Sequence, residues 1–172
     1  MKKEHNHTIE TLISSIGKST DSPHLINLFS RLNVVKKDLK KYPMQLPGRR
    51  LWADDFLGLQ LEFKDIGLLE NVPYHDLDEG PFILTKLVFW GNRKKKPLYS
   101  GPLPYGLDFD MTRENIRKSL LDKGLGEAST LGFSGEVDVW SLDNLELTAE
   151  YPEGDDIIRC IAIGLIISRD DL

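Results

Sequence analysis

The sequence contains a single cysteine, Cys160, so no intrachain disulfide can form. Cys160 begins the longest apolar run, residues 160–167, where a small buried hydrophobe is expected rather than a reactive thiolate. That run is far shorter than the roughly 20 residues a membrane-spanning helix needs, and we interpret it as a buried strand. The sequence therefore predicts a protein without structural disulfides or membrane spans, as is typical of a reducing compartment.

An excess of basic residues is also missing. The chain has 22 lysines and arginines against 27 aspartates and glutamates, a formal net charge of −5. This balance argues against a nucleic-acid-binding protein that could be recognised from its total charge. The charge is uneven, because residues 1–100 carry a net +4 and residues 101–172 a net −9. The acidic carboxyl-terminal part can be a solvated surface, or it can steer a basic partner towards one face.

The amino terminus lacks the pattern of an export signal. Lys2 and Lys3 resemble the positive start of a signal peptide, but residues 8–16 are interrupted by polar side chains and lack a small-residue cleavage site. We therefore expect a cytoplasmic protein. Its 172 residues are enough for one compact domain or two small half-domains.

Three helices are predicted from apolar spacing and from residues that favour helix ends. Thr8, Ser22 and Thr112 are expected to cap them, with Pro23 in the first turn of the second helix. Gly17, Asn33 and Gly124 mark the predicted ends. The side chains expected to face the core are Ile9, Leu12, Ile13 and Ile16 in the first helix, Leu25, Ile26, Phe29 and Leu32 in the second, and Ile116, Leu120 and Leu121 in the third.

Strands are predicted from alternating or continuous apolar residues. The expected ranges are a hairpin over 51–56 and 59–63, a central strand over 82–90, and strands over 136–140, 145–151 and 157–167. The glycine- and proline-rich segment 91–106 is the best boundary. We therefore predict an α+β fold of two tandem helix-plus-antiparallel-sheet halves, 1–97 and 98–172, with one continuous compact domain as the alternative.

Motifs for catalysis or cofactor binding are weak. His75, with Asp76, Asp78 and Glu79, is the best candidate for a cation site or a small active site, although a solvated loop is the simpler interpretation. Asp108 and Asp110 could form a pair of carboxylates for acid–base chemistry, but negative charge there also favours a helix start. We predict no catalytic residues, no cofactor and no metal.

The more promising feature is an acidic surface that includes a tryptophan. Strand alternation is expected to place Glu136, Asp138 and Trp140 on one face of their strand, and Glu146 and Glu150 on the polar face of the next. An aromatic anchor surrounded by carboxylates is typical of a surface that docks a basic partner. These five residues are the predicted partner-binding site, and the alternative is that helices cover this face and Trp140 belongs to the core.

A resemblance to known proteins covers most of the chain in order. Residues 103–113 read LPYGLDFDMTR, and this segment resembles the start of a helix in a group of bacterial immunity proteins that includes those paired with S-type pyocins. Residues 9–19, IETLISSIGKS, look like that group's amino-terminal region, and residues 140–151 with the apolar strand after them look like its end. The Met-Thr-Arg helix start is also reminiscent of the repeats of β-lactamase-inhibitor proteins. The resemblance implies a protein without enzymatic activity that binds and occludes a cognate toxin.

The expected function is therefore immunity against a secreted bacterial toxin, such as a nuclease or another basic effector, in bacterial competition. The expected partner is the toxin domain, without direct binding to nucleic acid or membrane. Two alternatives remain open. The protein could be an adaptor or chaperone that delivers an effector, or a small enzyme that uses the loop around His75.

Overall fold

The structure is a computed structural model that describes residues 8–41 and 46–167. It shows the predicted α+β fold. The helices are α1 (Ile9–Ser14), α2 (Pro23–Leu32) and α3 (Arg113–Asp122), and the strands are β1 (Lys40–Lys41), β2 (Arg49–Asp54), β3 (Leu59–Asp65), β4 (Phe82–Trp90), β5 (Ser129–Leu131), β6 (Val137–Leu142), β7 (Leu145–Glu150) and β8 (Cys160–Leu165). Residues 1–7, which bear on the predicted lack of an export signal, lie outside the described residues. Within the described part, no helix is long and apolar enough to cross a bilayer.

The chain divides into two compact units, each of which combines helix with antiparallel strands. The first unit contains the described residues of Met1–Ala53 together with Gln60–Leu87, and its strand order is β1-β2-β3-β4. The second unit consists of Asp54–Leu59 and Val88–Ile166, with the order β4-β8-β7-β6-β5. Strand β4 therefore contributes residues to both units. The division into domains at residue 97 stays a prediction.

The second helix begins and ends where the sequence predicts. The Ser22 hydroxyl accepts the backbone N–H of Leu25, and Asn33 adopts the left-handed conformation at the carboxyl end. One predicted core position is wrong, because Ile26 is 51% exposed and Leu28 is buried in its place. The buried residues Leu25, Leu28, Phe29 and Leu32 follow the i, i+3, i+4, i+7 spacing, which leaves Ile26 beyond that stripe.

The first helix is shorter than its apolar spacing predicts. It ends at Ser14 because the hydroxyls of Ser14 and Ser15 both donate to the carbonyl oxygen of Thr11, and side-chain bonds of this kind compete with the helical ladder. In α3, Leu121 is 49% exposed, whereas Ile116 and Leu120 are fully buried one turn apart. Leu121 is therefore a second wrong core prediction.

Two short strands were not predicted. Strand β1 consists of two lysines paired with β2, and charged side chains give it no apolar signal. Strand β5 has only three residues, Ser129–Leu131, and pairs with the start of β6. The predicted strand 157–167 is longer than the observed strand β8. β8 begins only at Cys160, because residues 153–157 form an exposed loop.

The core of the second unit is built on the register of β6, β7 and β8. Trp140 lies opposite Leu147 and Asp138 opposite Ala149 across β6 and β7. Cross-strand partners share a face of the sheet, so these four side chains face the same side. Cys160 is buried in strand β8, next to β7, and clusters with Val88 and Ala162.

Candidate functional site

The second unit contains a buried carboxylate that is held by two arginines. Asp138, the second residue of β6, is fully buried. Its Oδ1 is 2.6 Å from Nη2 of Arg113 and 2.6 Å from Nη2 of Arg117, and its Oδ2 accepts from the Nε atoms of both arginines at 3.1 and 2.8 Å. Paired two-point contacts of this kind are the strongest form of charge-assisted hydrogen bond. We call Asp138, Arg113 and Arg117 the arginine clamp.

The local sequence explains why both arginines reach the same carboxylate. They are four residues apart and therefore lie on one face of α3, one turn from each other. The Thr112 hydroxyl accepts the backbone N–H of Asn115 and fixes the start of the helix, so Arg113 occupies its first turn. Arg113 also donates from Nη2 to the carbonyl oxygen of Gly135 at 2.6 Å and lies 4.7 Å from the ring centre of Tyr151. The clamp therefore ties α3 to the backbone before β6 and to the end of β7.

The clamp shifts the pKa values of Asp138 and Arg117. Burial acts to raise the pKa of Asp138, but the hydrogen bonds from Arg117 and Arg113 outweigh it and the pKa is lowered overall. The pKa of Arg117 is raised, chiefly by its hydrogen bond to Asp138, with smaller contributions from Tyr151 and Asp156. Asp138 and Arg117 are therefore both charged at neutral pH, and the carboxylate has hydrogen-bond partners inside the protein.

The structure separates the five predicted partner-binding residues. Asp138 is fully buried and Trp140 is 1% exposed, on the face that α3 covers. Glu146 lies opposite Ser141, and Glu150 lies opposite Val137, so both belong to the other face of the sheet. Glu136 lies just before β6, and its side chain is half-buried. The five side chains do not form one surface, and their role in partner binding stays a prediction.

Glu136 fixes the turn between β5 and β6. Its carboxylate accepts the backbone N–H of Ser134 at 2.8 Å, and backbone N–H groups of Glu136 itself and of Ser134 hold its pKa below the ordinary value. Gly132 has a φ of +93°, and a Cβ there would overlap the Glu136 carboxylate. The turn therefore requires glycine at this position. Between them lies Phe133, whose side chain is fully exposed.

A loop rich in carboxylates leaves the same end of the sheet as this turn. The backbone N–H of Tyr151 donates to the carbonyl oxygen of Glu136 at 2.8 Å, which places the start of the β7–β8 loop beside the β5–β6 turn. The loop exposes four acidic or apolar side chains, Glu153, Asp155, Asp156 and Ile157. The charge of Asp156 also contributes to the raised pKa of Arg117. We call Phe133 and these four residues the hairpin-end surface.

This surface has the composition that the sequence predicts for a docking site, with different residues. Phe133 is the kind of exposed aromatic side chain that was expected of Trp140, and the loop carboxylates are exposed as was expected of the strand carboxylates. The run 132–135, Gly-Phe-Ser-Gly, forms a tight turn closed by a hydrogen bond from the backbone N–H of Gly135 to the carbonyl oxygen of Gly132. A large aromatic residue between turn-forming glycines was the available signal, because such a side chain has no core to enter.

The predicted loop around His75 is fixed by a different set of contacts. His75 Nε2 lies 2.5 Å from Oδ1 of the fully buried Asp65, and its Nδ1 lies 3.7 Å from Glu79. Burial acts to raise the pKa of Asp65, but hydrogen bonds from the backbone N–H groups of Gly67 and Gly80 and from His75 lower it overall. His75 therefore contacts the same Asp65 carboxylate that accepts the backbone N–H groups of Gly67 and Gly80 and so holds the loop in place. The alternative of a small enzyme that uses His75 remains untested.

The other residues of this loop also have structural contacts. Asp78 accepts from the backbone N–H of Gly48 at 2.7 Å and pairs with Nη1 of Arg50 at 2.6 Å, while Asp76 is exposed. Among residues 8–41 and 46–167, no group of three or more metal-ligating side chains could hold an ion.

Comparisons with known proteins add nothing to this geometry. No family model matches the chain, and neither a curated protein nor a solved structure matches it.

Proposed function

We propose that this protein is a cytoplasmic immunity protein that binds a secreted bacterial toxin domain and neutralises it by occlusion. The observation that carries the proposal is the hairpin-end surface, where the fully exposed Phe133 lies at the same end of the sheet as three exposed carboxylates. The resemblance of residues 103–113 to immunity proteins supports the same function.

The composition of the surface favours a basic protein partner. An exposed aromatic side chain that becomes buried on binding is the kind of residue that supplies most of the affinity of an interface. Carboxylates around it attract a basic partner and raise the association rate. Residues 101–172, which contain the whole surface, carry a net charge of −9, so the attraction extends beyond the three loop carboxylates. A complex of this kind buries about 1,600 Å² in total, which covers a toxin's active site or the approach to it.

The arginine clamp contributes to binding by holding the surface in place. Arg113 bonds to Gly135 in the turn that presents Phe133, and the electrostatic influence of Asp156 reaches Arg117. A surface that is already ordered before binding loses less conformational entropy in the complex. The buried Asp138, predicted from sequence to touch the partner, would thus act through the positions of these two loops.

Growth protection tests the proposal. The candidate toxin is the product of a reading frame next to this chain's gene, and it is expressed with the wild-type protein or with a Phe133→Ala, Asp155→Asn, Asp156→Asn variant. We expect the wild-type protein to restore growth and the triple variant to fail. Phe56→Ala, which removes another exposed aromatic residue from a β-turn, should protect fully. A complex that forms without inhibition would indicate an adaptor instead, and cell death despite abundant folded protein would contradict the proposal.

A further inference from the structure

The second compact unit also contains a groove, formed by the segment between β4 and α3. Its volume is about 550 Å³, within the range of about 300–1,000 Å³ in which proteins bind small molecules and side chains. Residues 98–103 and 106–110 line it. The buried side chains of Leu103, Leu107 and Phe109 contribute apolar surface, and Leu98 is 45% exposed.

The back of the groove is fixed. Tyr99 is 1% exposed, its ring lies 4.9 Å from that of Phe89, and its backbone N–H donates to the carbonyl oxygen of Trp90 at 2.8 Å. A Cβ on Gly101 would overlap the Tyr99 ring and hydroxyl, so this glycine lets the chain pass close to the aromatic side chain. The shape of the groove is therefore determined by packed side chains and not by the orientation of a free loop.

Two carboxylates belong to the same groove. Asp108 and Asp110 are both exposed, and Oδ1 of Asp108 accepts the backbone N–H of Asp110 at 2.9 Å. Within residues 8–41 and 46–167, neither carboxylate is paired with a cationic side chain. An apolar groove with uncompensated negative charge complements a side chain that has an aliphatic stem and a cationic end.

We infer that this groove receives a lysine or arginine side chain of the protein partner. The identity of that partner rests on the proposed function, but the preference of the groove for a cationic side chain does not. The site is distinct from the hairpin-end surface, so it provides a second contact in the complex. It also gives Asp108 and Asp110 a role beyond the start of α3.

Amide NMR spectroscopy with small probes tests the groove directly. Nα-acetyl-arginine methylamide is titrated into the full chain, and the citrulline analogue serves as a probe of matched shape without charge. We expect saturable shifts at Leu98, Gly106 and Asp108 with arginine, and binding about fivefold weaker with citrulline. Equal binding of the two probes, or shifts located elsewhere, would overturn the inference.

A pair of matched variants completes the test. Asp108→Asn/Asp110→Asn removes both charges but keeps the acceptor oxygen that bonds to the Asp110 N–H, so the loop should remain folded. This variant should bind the arginine probe about fivefold more weakly, whereas Asp122→Asn/Glu127→Gln, with the same change in net charge outside the groove, should bind as the wild type does. Equal loss in both variants would also overturn the inference.

The toxin complex separates the two proposals. If neither the wild-type protein nor any variant binds the candidate toxin but the arginine probe still binds selectively, the proposed function is wrong. The preference of the groove for a cationic side chain is then retained. If the toxin binds and the Asp108→Asn/Asp110→Asn change leaves its affinity unaltered, the groove is not a partner contact. The expected result is a complex that is weakened about fivefold by this change and unaffected by the control variant.

Discussion

Arg113 and Asp138 connect helix α3 to strand β6 through two parallel hydrogen bonds, from Nη2 to Oδ1 at 2.6 Å and from Nε to Oδ2 at 3.1 Å. The carboxylate is fully buried, and the arginine side chain is 19% exposed. This pair explains why Asp138 is unavailable to a partner while it remains charged. Because Arg113 also bonds to Gly135, the Met-Thr-Arg segment is linked to the turn that carries Phe133.

Asp138→Asn should destabilise the protein. The change leaves two arginines around an uncharged side chain, and removing one partner of a buried ion pair costs about 3–5 kcal/mol. We expect the low end of that range, because Arg117 is 44% exposed and can be hydrated. Chemical unfolding monitored by circular dichroism measures the difference. The exposed Asp122→Asn serves as the control, and a cost below about 0.5 kcal/mol for Asp138→Asn would contradict the role of the clamp.

The same pair should make stability depend on acid pH. Because the folded-state pKa of Asp138 is lowered, its contribution is fully present above the unfolded carboxyl pKa of about 3.9 and is lost as the pH falls through the folded-state pKa. The difference in unfolding free energy between wild type and Asp138→Asn should therefore shrink below about pH 4. Urea unfolding between neutral and acid pH measures it, and a constant difference would show that the charge of Asp138 is unimportant.

The two arginines should differ in their tolerance of lysine. Arg113 bonds to Asp138 and Gly135 and lies over the Tyr151 ring, whereas Arg117 contacts Asp138 from a more exposed position. Lysine cannot reproduce two-point contacts or planar stacking. Thermal unfolding should show a loss of about 1–3 kcal/mol for Arg113→Lys and under about 1 kcal/mol for Arg117→Lys. The reverse order would contradict the geometry.

Trp140 and Phe133 should differ sharply in their effects on stability. Trp140 is 1% exposed, so Trp140→Ala should cost about 3–5 kcal/mol through the cavity it leaves. Phe133 is fully exposed, so Phe133→Ala should change the unfolding free energy by less than about 0.5 kcal/mol. Differential scanning calorimetry of both variants checks this. A large loss of stability in Phe133→Ala would mean that this side chain is part of the core.

Some elements of the fold could be predicted from the sequence and others could not. Helix α2 could be predicted to the residue because Ser22, Pro23 and Asn33 act locally at its ends. The α+β class and strand β4 follow from periodicity and from continuous apolar sequence in the same way. Strand β5 could not be found, since its three residues are held by pairing with β6 and carry no pattern of their own.

The environments of the predicted site residues could be predicted only in part. Alternation placed Asp138 and Trp140 on one face correctly, but the sequence does not show that α3 covers that face. The two-point contacts from Arg113 and Arg117 depend on this packing, and they make a buried carboxylate stable. Phe133 was missed because a short turn has no periodicity, so its exposure appears only when the neighbouring strands are in place.

The loop carboxylates should act mainly on the rate of association. Glu153→Gln, Asp155→Asn and Asp156→Asn together remove three exposed charges, and the Asp155→Asn change keeps an acceptor oxygen for the Ile157 N–H. We expect slower association with the toxin at low salt and little effect above about 0.5 M salt, where charges are screened within a few ångströms. Stopped-flow fluorescence measures the rate. A change confined to dissociation would contradict electrostatic steering.

The most direct test of the account is the dissociation constant of the toxin complex, measured by isothermal titration calorimetry with wild type, Phe133→Ala and Glu146→Gln/Glu150→Gln. If the hairpin-end surface binds the toxin, Phe133→Ala should weaken binding by about 30-fold, a typical loss for an interface anchor. The Glu146→Gln/Glu150→Gln variant should change the dissociation constant by less than about twofold. Unchanged affinity in Phe133→Ala, or strong loss in the double variant alone, would contradict the account.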